Sequence, residues 1–141
     1  MSEKRIRITV VAADLFEAAS ATVGALGLVV GFMNIPISVL NGTPFADFTV
    51  PALLLGIVVG GSALVAGIIA VLGIFQLDAL SSAAAGCITV SWLTIEVGMI
   101  GVGSWAQVVW WLVGAVMIAL AVLLWQAETH AVSVRRSHHP V

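Results

Sequence analysis

Charge is what this sequence has least of. Five lysines and arginines and seven aspartates and glutamates stand among 141 residues, 9% of the chain. Soluble domains carry about a quarter charged residues, so this composition excludes a water-soluble globular enzyme. Disorder is excluded as well, because 61% hydrophobic residues cannot keep an unfolded chain solvated. With a net charge of -2, the chain offers no basic patch for nucleic acid. The single cysteine, Cys87, falls in an apolar run; it cannot close an intrachain disulfide and says nothing of the compartment. Catalytic motifs are missing too: there is no nucleophile elbow, P-loop, HExxH or CxxC, and Ser, His and Asp fall in no motif order. His138 and His139 are adjacent and His130 is remote; such a set does not specify a metal, and the three read as spacers in a solvated tail. The expectation is a non-enzymatic chain without metal or cofactor.

What the sequence has is length of apolar run, with a mean hydropathy of +1.18. A bilayer core about 30 Å thick takes roughly 20 apolar residues per spanning helix. The pattern predicts an all-α polytopic membrane protein, a bundle of four transmembrane helices in one membrane domain. The spans are expected at about residues 12–33, 51–75, 79–102 and 105–126, with a polar tail over 127–141. The first apolar run begins earlier, at Ile8. As one helix to residue 33 it would be about 39 Å long, so its first turns should lie among headgroups with Lys4, Arg5 and Arg7. A basic start before an apolar stretch also suits a signal peptide. Asp14 and Glu17 interrupt the place of its apolar region, however, and the run is too long, so an uncleaved helix is expected.

Asn34, Pro36, Asn41, Gly42, Thr43 and Pro44 break the pattern as turn residues do. Apolar members of that loop, such as Ile35, Ile37 and Phe45, should keep it at the interface. Pro51 suits a first helical turn, with Asp47 or Thr49 as its cap. Asp78 is expected to cap the third span, and Ser104 with Gln107 matches a capping box. Lys4, Arg5 and Arg7 precede the first span, Arg135 and Arg136 follow the fourth, and no connecting loop carries a basic residue. The positive-inside rule then puts both termini in the cytoplasm, in the cell inner membrane of a bacterium. Trp105, Trp110 and Trp111 open the last span and Trp125 closes it, as aromatic anchors at the two interfaces would. Membrane lipid is the first partner, and Arg135 and Arg136 can meet anionic headgroups.

Small residues recur at helical spacing. Gly24, Gly27 and Gly31 mark one face of the first span, and Gly56, Gly60, Ala63 and Gly67 one face of the second. Such faces let backbones approach closely where lipid removes the hydrophobic drive between helices. Packing of spans one and two against each other is the first reading, and a homo-oligomer contact the second.

Acids inside a bilayer are costly and mark functional candidates. Glu96 shares a small and polar stripe of the third span with Ser82, Ala85, Thr89 and Gly103. No lysine or arginine of any span can pair with it. It reads as a carboxyl satisfied by backbone or by Asn34, Thr43 or Gln107, and alternatively as a proton, cation or ligand site. Asp47 reads first as a helix cap; as an external neighbour of Glu96 it would complete a two-carboxylate site. Asp14 and Glu17 share a face near the inner interface, and Arg7 can lie on that same face. The helix dipole explains them as acids of a first turn; a proton-coupled site is the alternative.

The segments "PFADFTVPALLLGIVVGGSALVAG" and "SWLTIEVGMIGVGSWAQVVWWLVG" resemble those of uncharacterised small four-span bacterial membrane proteins. The resemblance covers most of the apolar chain and implies the fold without an activity. The small multidrug resistance transporters are similar in span count, in sparse charge and in an acid of the first span, which Glu17 matches. This chain departs from them in its long first external loop, its aromatic pattern and its second acid in span three. Two functions are therefore expected. The first is a scaffold or accessory subunit of a membrane assembly, acting through its apolar loop and glycine faces. The second is an oligomeric transporter or channel subunit that uses Glu96 or Glu17 to couple a proton or cation.

Overall fold

The structure, a computed structural model, describes residues 2–137. His138 and His139 lie outside the described residues, as do the side chains of Arg135 and Arg136. Four long helices follow in order: α1 (Glu3–Val30), α2 (Thr49–Leu72), α3 (Leu77–Ile100) and α4 (Trp105–Ser137). A short 3₁₀ turn, Ile37–Leu40, lies in the loop between α1 and α2. All four helices are long and apolar enough to cross a membrane. The chain is an all-α bundle consistent with a multi-pass membrane protein.

The ends of the helices differ from the expected spans in ways the sequence explains. α1 starts at Glu3, so the basic turn belongs to the helix and does not precede it. α4 runs on to Ser137, because neither glycine nor proline interrupts residues 127–137. Part of the expected tail is therefore helix. α1 stops at Gly31, whose φ of 77° is open to glycine and whose N–H returns to the Gly27 carbonyl at 3.1 Å. The cap position of α3 is Gln76, and Asp78 sits inside the helix with no exposed surface. Half of the expected capping box forms: Gln107 Oε1 accepts the Ser104 N–H at 3.2 Å, but Ser104 Oγ accepts the Ala106 N–H at 3.1 Å in place of that of Gln107. α2 widens to π-helical winding over Leu54–Gly60.

The helices alternate in direction and pack around a square, α1 and α3 each lying between α2 and α4. Small residues fill the middle: Ala18, Ala63, Ala66 and Ala85 surround Met117. Large residues such as Val30, Ile57 and Leu72 face outward, 74%, 68% and 66% exposed. Lipid solvates such side chains, so close backbone packing replaces hydrophobic collapse as the cohesive term.

The expected α1–α2 contact is present, but α1 brings different residues to it. A Cβ on Gly60 would meet Ala21 Cβ at 3.3 Å and the Ala18 carbonyl at 3.4 Å, and one on Gly56 would meet Ala25 Cβ at 3.0 Å. A Cβ on Gly67 would meet Leu15 Cδ2 at 2.9 Å, and Ala63 is fully buried. Gly24 faces Leu55, whereas Gly27 is covered by Phe32 and Met33 of the following loop and Gly31 has open space. The α1 face at α2 is thus alanine-built around Ala18, Ala21 and Ala25. A tighter contact, which spacing alone did not single out, joins α3 to α4. A Cβ on Gly86 would lie 2.8 Å from the Gly114 carbonyl oxygen.

Candidate functional site

The rise of about 1.5 Å per residue places polar groups by depth. Because α1 begins at Glu3, Glu17 falls near its midpoint, not at its end as its place in the first apolar run suggested. Thr89 falls near the midpoint of α3. The two meet: Thr89 Oγ1 donates to Glu17 Oε1 at 3.3 Å. Nearer the termini, Ser82 Oγ donates to Asp14 Oδ1 at 2.8 Å. Asp14 is 0% and Glu17 3% exposed. The second oxygen of each, Asp14 Oδ2 and Glu17 Oε2, is buried without a hydrogen-bond partner among the described residues. Neither touches Arg7. A polar seam thus joins the two helices that stand diagonally across the bundle.

A cavity of about 260 Å³ opens along this seam from the loop end of the bundle. Glu17 and Thr89 line its deep end, and Glu96, Ser104 and Gln107 the end nearest the loops. Leu55 and Val59, from the π-wound stretch of α2, and the indoles of Trp92 and Trp110 form its walls. Among the described residues, no lysine or arginine lines it. Glu96 is half-buried, and its Oε1 accepts a hydrogen bond from Gln107 Nε2 at 3.0 Å. Of the three partners expected for Glu96, only Gln107 bonds to it. Trp92 Nε1 is buried with no hydrogen-bond partner among the described residues. Trp110 turns inward onto the cavity and packs on Phe16 with ring centroids 5.5 Å apart. Trp105, Trp111 and Trp125, by contrast, face outward, 80%, 44% and 41% exposed.

Asp47 does not join Glu96. It is exposed on the loop and outside the cavity, and its Oδ1 accepts the Thr49 N–H at 2.8 Å, as a cap does. That backbone bond holds its carboxyl below the usual carboxylate range.

At the opposite end, where the termini lie, Arg7 gathers three acids. Its Nη2 is 2.7 Å from Glu128 Oε1 and 3.1 Å from Glu3 Oε1. Its Nε is 3.2 Å from Asp78 Oδ2, within ion-pair distance but not aligned as a hydrogen bond. Glu128 Oε2 also accepts the Gln76 N–H at 2.9 Å, tying α4 to the α2–α3 turn. The sequence hinted at Arg7 but aimed it at Asp14. It hid Asp78 in a turn and Glu128 in a tail, because neither has a partner on its own helix. Among the described residues, no three His, Cys, Asp or Glu side chains form a metal-ligand group.

Comparison with protein-family models, curated proteins and solved structures found no match to this chain.

Proposed function

We propose that the chain is a non-enzymatic membrane protein that binds a small organic cation in the loop-end cavity, as a carrier or a carrier subunit. The carrying observation is Glu17: a carboxyl 3% exposed, with one oxygen lacking a partner, at the deep end of a cavity. An unpaired carboxylate at mid-bundle is costly, and a positive ligand or a proton compensates it. Two indoles and aliphatic walls suit the organic part of such a ligand, since the faces of Trp rings attract cations. Glu96, held by Gln107 near the loops, supplies a first negative charge on the way in. A scaffold or accessory subunit, which the sequence alone favours, needs no such cavity, and this turns the proposal toward binding.

In the cell membrane, the placement of basic residues supports cytoplasmic termini, with the cavity opening outward. The lipid-facing apolar surface leaves room for a second copy of the chain, which would wall a full pathway.

The test uses the purified protein in nanodiscs with benzyltrimethylammonium as probe. Trp92 and Trp110 should report binding as a saturable change in tryptophan fluorescence. Glu17→Gln should weaken binding by about tenfold or more, as expected when a buried charge partner is lost. Equal binding by wild type and Glu17→Gln, or no saturable change in wild type, would overturn the reading.

A further inference from the structure

The seam does not end at the cavity floor. Asp14 lies three residues below Glu17 on α1, a rise of about 4.5 Å, and both face α3. Each carboxyl is anchored by one hydroxyl, from Ser82 or Thr89, and each keeps one buried oxygen without a partner. Hydroxyls both donate and accept, so they can pass a proton as well as hold a carboxyl. Ser82 is in turn four residues, about 6 Å, from Asp78 on the same buried face of α3. There the Arg7 cluster sets three carboxyl groups around one guanidinium, and Glu3, with its side chain 40% exposed, reaches water. α2 contributes no titratable residue to the seam, and α4 contributes Glu128. Acids in a row at membrane depth, facing protein and each held by a hydroxyl, are the kind of chain that carries protons in membrane proteins.

We infer that the Glu17–Asp14 pair relays a proton between the loop-end cavity and the Arg7 cluster at the termini. The inference deepens the cation reading, on which it rests for one step: a cation that enters beside Glu17 displaces its proton toward Asp14. Protonated Glu17 gives its proton to the Asp14 carboxylate through an intervening water. Asp14 then passes it to the Asp78–Glu128 group. One O–H bond breaks and one forms at each step, and no electron is transferred. Asp14 is the one acid on the four helices that neither lines the cavity nor pairs with Arg7, and on α1 it stands between Glu17 and Arg7.

The relay is tested in liposomes holding the full chain and trapped pyranine, with a potassium diffusion potential set by valinomycin. Proton flux is measured with and without benzyltrimethylammonium on the outside. Wild type should carry protons above protein-free liposomes in at least one of the two conditions. Asp14→Asn should lower that flux by about tenfold or more, the scale of a lost acid–base group. The same variant should keep the tryptophan response to the probe. Asp14→Glu should restore flux, and Ser82→Ala should slow it, which keeps the test decisive if Asp14→Asn does not fold. Cation binding without proton flux in wild type, or unchanged flux in Asp14→Asn or Ser82→Ala, would overturn the relay and leave the binding reading standing. Proton flux without cation binding would overturn the binding reading alone.

Discussion

Glu96 and Glu17 line one cavity but are held by different means. Glu96 accepts from the Gln107 amide, a bond that a neutral side chain of the same shape can also take. Glu96→Gln should therefore leave thermal stability in detergent nearly unchanged. Glu96→Leu strands the Gln107 donor and should cost about 1–3 kcal/mol. Equal melting of the two variants would contradict this account of the bond. Asp47 gives a second residue-scale expectation, this one in pH. Its folded carboxyl is held below its ordinary value by the Thr49 N–H. The stabilisation is complete above the ordinary value, near pH 4, and is lost as pH falls through the lower folded value. The stability difference between wild type and Asp47→Ala should hold constant above about pH 4 and shrink below it. A difference that grows on acidification would reject the cap. At this scale the sequence was informative where a charge interrupts an apolar run, as at Asp14, Glu17 and Glu96. It took Asp78 for a cap and passed over Glu128, whose meaning comes from Arg7 on another helix and so from tertiary register.

Between elements, cohesion rests on where a backbone can be approached. Spacing identified the α2 face correctly, since Gly56, Gly60 and Gly67 all meet α1. It misjudged the α1 face, because the glycines near the end of α1 serve the helix stop and the covering loop. The face that turns to α2 is fixed instead by the need to aim Asp14 and Glu17 at α3, which carries Ala18, Ala21 and Ala25 around with it. The α3–α4 contact went unread because Gly114 is the one glycine of α4 and Gly86 stands far from Gly98, the other glycine of α3, so neither falls in a GxxxG. Their neighbours decide the cost of enlarging them. At Gly86 an added Cβ meets a backbone oxygen at 2.8 Å, which cannot move without shifting α4. At Gly27 it meets the tips of Phe32 and Met33, which can rotate away. Gly86→Ala should thus cost about 1–3 kcal/mol by overpacking, and Gly27→Ala clearly less. Thermal unfolding of the two variants in one detergent checks the order; a larger loss at Gly27 would show that α3 and α4 do not pack this closely.

At the scale of the molecule, helix lengths and charge agree on one polarity. α2 and α3, with 24 residues each, are about 36 Å long and fit a bilayer, while α1 with 28 and α4 with 33 are longer. Their extra turns project at the end where the termini lie. That end also holds Arg7, Glu3, Asp78 and Glu128, whereas the loop over residues 31–48 carries Asp47 as its one charge. Number and order of the helices were legible from hydropathy alone, because four apolar runs separated by turn residues leave few ways to fold in lipid. Orientation is a further step, and it decides which solution the cavity meets. Cys87 is exposed on α3, so labelling begins from a Cys87→Ala background that should fold and bind as wild type does. In that background, Thr43→Cys should react with a membrane-impermeant maleimide in intact cells, and Ser137→Cys only after permeabilisation. The reverse pattern would keep the bundle but turn the cavity to the cytoplasm, making Glu96 a receiver of internal cations and the Arg7 cluster an external exit for protons. Labelling of both positions in intact cells would break the four-span arrangement itself, since the three helices between Thr43 and Ser137 must leave the two on opposite sides.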